Sequence, residues 1–177
     1  MKVITNFVAF QIGWFACVLG GANNLPWLGV LVVAAILVWH LKGSAEPQRE
    51  AALIALAGII GGLWDSALVT SGWLSYPSGM VSAYTAPYWM VAMWMLFATT
   101  LNVSMRWLKN RYALAALLGA VAGPMAYAGG GRLGGLTFHD MTLALAALAA
   151  GWAVFMPLLM ALSNRFDGVE ELRTANA

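Results

Sequence analysis

The sequence predicts an all-α fold: a single bundle of six transmembrane helices with both termini in the cytoplasm. Three observations predict it. Hydrophobic residues fill 62% of the 177 positions and charged residues only 9%, against about 45–50% and about 25% in a soluble domain. The apolar residues fall into six runs, each close to the roughly 20 residues a helix needs to cross a bilayer. The basic residues gather at alternate breaks between those runs, which is how a multi-pass protein sets its orientation. This composition, with a mean hydropathy of +0.77, excludes a soluble enzyme, a disordered chain, a coiled coil and a nucleic-acid binder. A net charge of +2 is too small to draw a polyanionic partner.

The first span covers Val3–Gly21. Lys2 precedes it, but the run is longer than the apolar core of about 7–15 residues in a cleaved leader. It also carries Asn6 and Gln11, so it reads as a retained helix. Cys17, the one cysteine, lies inside it; no intrachain disulfide is possible, and a lone thiol in an apolar run is a small packing residue. The second span, Leu25–Leu41, ends at His40 and Lys42, and the third runs from Ala51 to Trp73. The fourth covers Pro87–Trp107, the fifth Tyr112–Gly129 and the sixth Asp140–Asn164. Residues 1–166 thus form one membrane domain, and 167–177 a polar cytoplasmic tail. In lipid every backbone polar group needs an internal partner, so runs of this length are helices. The alternation of a membrane β-barrel is missing.

Eight basic residues (Lys2, Lys42, Arg49, Arg106, Lys109, Arg111, Arg165 and Arg173) fall on one side of this layout, and only Arg132 on the other. The basic side is cytoplasmic. Trp27, Trp73 and Trp89 then mark the outer interface, and Trp39 and Trp107 the inner one. Helices gain little from apolar burial inside lipid and rely on small residues for close contact. Gly58 with Gly62, Gly119 with Gly123, and Ala147 with Gly151 each lie four residues apart. These are helix contact faces, and the two glycine pairs are candidate docking faces for a membrane protein partner. Pro124 and Pro157 are expected to kink the fifth and sixth spans.

An ionisable residue inside a span is costly and marks a candidate functional site. Asp65 is the clearest. It follows Gly58 by seven and Gly62 by three residues, on the small-residue face that points into the bundle. Arg132, flanked by Gly129-Gly130-Gly131 and Gly134-Gly135, offers a fork suited to a carboxylate or phosphate. His139-Asp140 opens the sixth span on the same side, where Asp140 also suits a helix cap. Gln11 reaches toward Asp65. Asp65, Arg132, His139, Asp140 and Gln11 are therefore the candidate ligand-binding residues of a periplasm-facing polar pocket, with Arg132 taking a lipid head group or a small anionic solute. Asn6 and Asn102 are expected to bond between helices, and His40 is structural. The uncharged stretch from Leu74 to Ala86 is expected to lie along the membrane surface and cover the outer cavity, with Tyr76, Tyr84 and Tyr88 lining its edge. Two histidines and one cysteine supply no metal cluster, and no His-Glu-x-x-His motif is present. Neither a catalytic residue nor a cofactor is identified.

Pro77-Ser78-Gly79, Arg132 and His139 are partly similar to the membrane phosphatidate-phosphatase superfamily. Met80 stands where that motif has histidine, Gly131 where it has serine, and the first basic motif is missing. A fuller resemblance is carried by Asn6-Phe7 with Phe10-Gln11 and Trp14, by Gly62-Leu63-Trp64-Asp65, by Pro87-Tyr88-Trp89, and by Gly123-Pro124 with its glycine run. Across nearly the whole chain these resemble a proteobacterial inner-membrane family of unknown function, whose members often accompany genes for membrane fatty-acid modification and envelope stress. The resemblance implies a bacterial inner-membrane location and work on membrane lipids, as an enzyme or an accessory factor. Two other readings fit the same residues. One is a small-solute transporter or the substrate-binding membrane subunit of an importer. The other is a ligand-free scaffold in which Asp65 and Arg132 form a buried pair.

Overall fold

The structure is a computed structural model and describes residues 3–169. Six helices form, in chain order: α1 (Val3–Ala22), α2 (Pro26–Lys42), α3 (Pro47–Thr70), α4 (Tyr88–Leu101), α5 (Tyr112–Arg132) and α6 (Met141–Arg165). Of these, α1, α3, α5 and α6 are long and apolar enough to cross a membrane, while α2 and α4 are apolar but shorter, at 17 and 14 residues. Exposure supports a lipid surround. Ile4, Leu31, Leu63, Met125 and Val154 all stand on the outside of the bundle, a surface that water would penalise. The chain is a membrane protein. Lys2, Glu170 to Ala177, and with them Arg173 and most of the expected tail, lie outside the described residues.

Local sequence explains the boundaries. Asn24 takes a left-handed conformation (φ 59°), which asparagine tolerates better than other side chains, and Pro26 then opens α2 at a position where its missing N–H costs nothing. Pro47 does the same for α3, so that helix starts four residues before the expected Ala51 and takes Glu50 into its first turn. The largest departure is α4. It stops at Leu101 rather than Trp107. Thr99 and Thr100 turn their hydroxyls back onto the carbonyls of Leu96 and Phe97, a competition that weakens a helix end. The chain continues through turns and a 3₁₀ turn at Arg106–Leu108. A pair of two-residue strands, β1 (Leu74–Ser75) and β2 (Thr137–Phe138), also departs from an all-helical reading. They pair antiparallel, Leu74 opposite Phe138, and tie the α3–α4 loop to the α5–α6 loop at the end opposite the termini.

The bundle has two parts. α1, α2, α3 and α4 pack on one another, with α4 at their centre against each of the other three; α5 lies along α6, and this hairpin meets the rest through limited contacts of α6 with α3 and α4. Small residues set the spacing as expected, but from within the chain. Gly58 and Gly62 receive Met95 and Val91 of α4, and Gly119 and Gly123 receive Met156 and Trp152 of α6. Four tryptophans are seated against glycines: Trp89 on Gly21, Trp94 on Gly61, Trp152 on Gly123 and Trp64 on Gly151. Trp89 is therefore buried in the core rather than marking an interface, whereas Trp27, Trp39 and Trp107 stand exposed. Cys17 is fully buried against Gly29, the packing role its isolation suggested. Pro124 and Pro157 both sit inside continuous helices.

Candidate functional site

Asp65 is fully buried, while Leu63, two residues earlier on α3, is 70% exposed. The acid thus faces the bundle, as its spacing from the glycines indicated. Its partners were not foreseen. The Tyr76 hydroxyl donates to Oδ1 at 2.7 Å, the Trp94 indole N–H donates to Oδ2 at 2.7 Å, and the Tyr127 hydroxyl lies 2.8 and 3.0 Å from the two oxygens. These donors come from the α3–α4 loop, α4 and α5. One carboxylate therefore ties together three segments of the chain, and both of its oxygens are satisfied by neutral donors. Behind this knot Trp94 stacks on Trp152 of α6 with ring centroids 4.6 Å apart and planes 12° from parallel.

Trp94 and Tyr127 have a second face. Both line a cavity of about 240 Å³ bounded by α1, α4, α5 and α6. Phe10 and Trp14 of α1, Met93 of α4 and Met156 of α6 complete much of its wall. The polar atoms of Trp94 and Tyr127 are turned to Asp65, so the rings present hydrocarbon to the cavity and the carboxylate stays behind them.

The other expected site residues lie apart from Asp65. Arg132 ends α5, stands exposed, and makes no hydrogen bond or ion pair among the described residues; the buried Asp65–Arg132 pair does not form because the two tyrosines and Trp94 already occupy the carboxylate. His139 is exposed, with Nε2 2.8 Å from the Ser75 hydroxyl. Asp140 caps α6, its side chain accepting from the Leu143 N–H at 2.9 Å. Gln11 is half-buried on α1 and contributes nothing to the carboxylate's hydrogen bonds. The α3–α4 loop does not simply lie along a surface. Tyr76 is buried within it, Ser78 donates to the carbonyl of Gly21 at 2.7 Å, and the Trp89 indole donates to the carbonyl of Ser78 at 2.9 Å. Gly79 makes this fold possible: at φ +87° and pressed on Trp89, it is a place where a side chain would be strained and crowded. Tyr84 is exposed and Tyr88 stacks on Trp27 at 4.5 Å.

A second polar cluster occupies the end that carries the termini. Glu50, fully buried, lies 2.7 Å from His40 Nε2 through Oε2; its Oε1 accepts from Asn102 Nδ2 at 2.6 Å and from the Gly168 N–H at 2.8 Å. Asn102 also donates to the carbonyl of Phe166 at 3.2 Å. Nearby, Asp167 is held by Arg106 at 2.9 Å and Lys109 at 2.6 Å. Partial burial alone would raise its pKa, but Lys109 and then Arg106 overrule that and hold it below the usual carboxylate value. The start of the expected tail, 167–169, is thus anchored to the bundle. Asn102 bonds between elements as anticipated, and so does Asn6, which donates to the carbonyl of Thr99 at 3.1 Å.

A family model described as a protein of unknown function, DUF2878, matches residues 3–158. The chain belongs to that family. The resemblance read from Asn6, Trp14, Asp65 and Pro124 to an uncharacterised family is thereby placed on a match covering most of the chain. No curated protein and no solved structure matches it.

Among the described residues no group of three or more His, Cys, Asp or Glu side chains could hold a metal. What the geometry offers is binding: an apolar chamber with a fully satisfied acid fixing two of its walls. Sequence reasoning missed Trp94, Tyr127 and Glu50, and it placed Tyr76 at the edge of an outer cavity without its bond to Asp65.

Proposed function

We propose that the protein is a multi-pass protein of a bacterial inner membrane, crossing it six times with both termini in the cytoplasm, that binds membrane lipid in the service of lipid modification or homeostasis. The observation that carries this reading is the apolar cavity of about 240 Å³ beside Asp65. An apolar cavity of about 150 Å³ already accepts a benzene-sized molecule and excludes water. The Trp94 indole N–H and the Tyr127 hydroxyl are spent on Asp65 and the lining is otherwise almost wholly apolar, which favours hydrocarbon over a polar solute. Arg132, exposed and unpaired among the described residues at the end of α5, then meets an anionic head group at the periplasmic surface, where phosphate suits its fork. The cluster of Lys42, Arg49, Arg106, Lys109, Arg111 and Arg165 at the other end supports a cytoplasmic placement there.

The test is a lipid profile. A strain lacking the protein is complemented with wild-type or Arg132→Ala protein and its phospholipids are measured under membrane stress. The proposal expects a profile that deletion shifts and the wild type restores, with weaker restoration by Arg132→Ala. An unchanged profile on deletion, or a purified protein that releases a polar solute and no lipid in native mass spectrometry, would overturn it.

A further inference from the structure

The dimensions of the cavity specify more than an affinity for hydrocarbon. Along α5 its lining runs from Leu118 to Gly130, twelve residues, or about 18 Å at 1.5 Å per residue. One leaflet of a bilayer core is about 15 Å deep, half of roughly 30 Å. The cavity is therefore as long as one acyl chain. Its lining is almost wholly hydrocarbon and aromatic, so the cavity is an elongated apolar slot.

The way in is also indicated. At the end opposite the termini Val18 of α1 lies against Gly130 and Gly135 and roofs the slot. Below that roof α1 and α5 are not closely packed, and the Trp14 side chain reaches toward Gly129 across the gap. Ala122 and Ala126 line the slot and are nevertheless exposed on the surface of the bundle. The opening therefore faces the lipid side, between two helices, rather than the water at either end. Arg132, two residues beyond Gly130, stands at the same end with its charge unmatched among the described residues, and complements a phosphate.

We infer that this slot takes a single hydrocarbon chain of a phospholipid, entering sideways between α1 and α5 from the leaflet on the Arg132 side, with the head group left outside near Arg132. This rests on the lipid reading above and adds the occupant, the entry route and the leaflet. It also explains what the Asp65 knot does for the slot. By holding Trp94 and Tyr127 in place, the carboxylate keeps two of the walls rigid.

The test uses full-length protein in nanodiscs of phosphatidylethanolamine and phosphatidylglycerol, with a phosphatidylglycerol probe carrying a diazirine at the middle of one acyl chain. Photolysis is expected to label peptides holding Trp14, Met93 and Met156, and a single-chain lysophosphatidylglycerol probe is expected to label the same peptides. Ala126→Trp puts an indole in the opening at an exposed position. It is expected to lower labelling of those peptides roughly tenfold or more, since losing even two buried methylenes is worth about that factor, while labelling of lipid-facing α2 stays unchanged. Ala122→Phe is the second variant, should Ala126→Trp fail to fold. Uniform labelling of all lipid-facing helices, or labelling of Met93 and Met156 that neither variant reduces, would overturn the slot. The two readings fail separately. Lost slot labelling with a lipid profile that still depends on the protein removes the slot alone. Slot labelling with a profile indifferent to deletion removes the homeostatic role alone.

Discussion

Replacing Asp65 by alanine leaves three buried donors, from Tyr76, Trp94 and Tyr127, with no acceptor. Hydrogen bonds between membrane helices average only about 0.6 kcal/mol in mutant cycles, so the three set a floor near 2 kcal/mol. Donors stranded in a dry interior cost about 1–3 kcal/mol each in soluble proteins, which sets the upper end. We expect Asp65→Ala to lose about 3–4 kcal/mol, with the spread reflecting how far Tyr76 can swing out with its loop. Asp65→Asn keeps one acceptor oxygen for the tyrosines but turns an amide donor toward the Trp94 N–H, so about 1–2 kcal/mol is expected. The assay is reversible unfolding in mixed micelles, followed by tryptophan fluorescence. A mutant cycle sharpens it: Tyr76→Phe should cost measurably in the wild type and almost nothing in Asp65→Ala. If the Tyr76→Phe cost is the same in both backgrounds, or if Asp65→Asn is less stable than Asp65→Ala, the carboxylate is not the joint described here.

Three further outcomes follow from other parts of the bundle. Glu50→Ala strips His40, Asn102 and the Gly168 N–H of their shared acceptor; breaking a buried pair this way costs about 3–5 kcal/mol, and limited proteolysis should show cleavage appearing just after Phe166. Asp167 has a pKa held below its usual value by Lys109 and Arg106. A depressed carboxylate stabilises the folded form above its unfolded value of about 3.9 and loses that contribution as pH falls below it through the folded value. Amide protection at residues 167–169 should therefore be intact at neutral pH and fade below about pH 4; protection that instead fades between pH 6 and 8 would contradict the assignment. Gly61→Ala places a methyl inside the Trp94 ring. With Trp94 stacked on Trp152 and bonded to Asp65 it has no room to yield, so a loss of about 1–3 kcal/mol is expected, to be read as a lowered melting temperature.

The number of helices and most of their limits were legible because apolar runs of this length have one low-energy form in lipid. Local chemistry was legible too: the Asp140 cap, the inward face of Asp65, and the interhelical bonds of Asn6 and Asn102 depend on spacing alone. The donors around Asp65 were not, because Tyr76 and Tyr127 lie 11 and 62 residues away and only the folded loop brings Tyr76 inward. Charge made Arg132 the natural partner on paper, but α5 carries it past the level of the acid and out to the surface. Glu50 was hidden by its company. It follows Glu46, Pro47, Gln48 and Arg49, a stretch that reads as solvated loop, and its burial depends on His40 of α2 and on Asn102 just past the end of α4. The early end of α4 was masked by continuing apolar residues, since Val103, Met105 and Trp107 keep the hydropathy high after the helical hydrogen bonding has stopped. The slot leaves no mark in sequence at all, being a gap between side chains that are ordinary in themselves.

The seating of Trp64, Trp89, Trp94 and Trp152 against glycines has a consequence for how such a chain can change over generations. Neither member of such a couple can drift alone. A larger residue in place of the glycine collides with the ring, and a smaller residue in place of the ring opens a hole next to a bare backbone. Variation at these places has to arrive as paired events, which are rare, so the two positions of each couple should co-vary or stand still together. The lipid-facing leucines and valines between them are free to exchange among themselves.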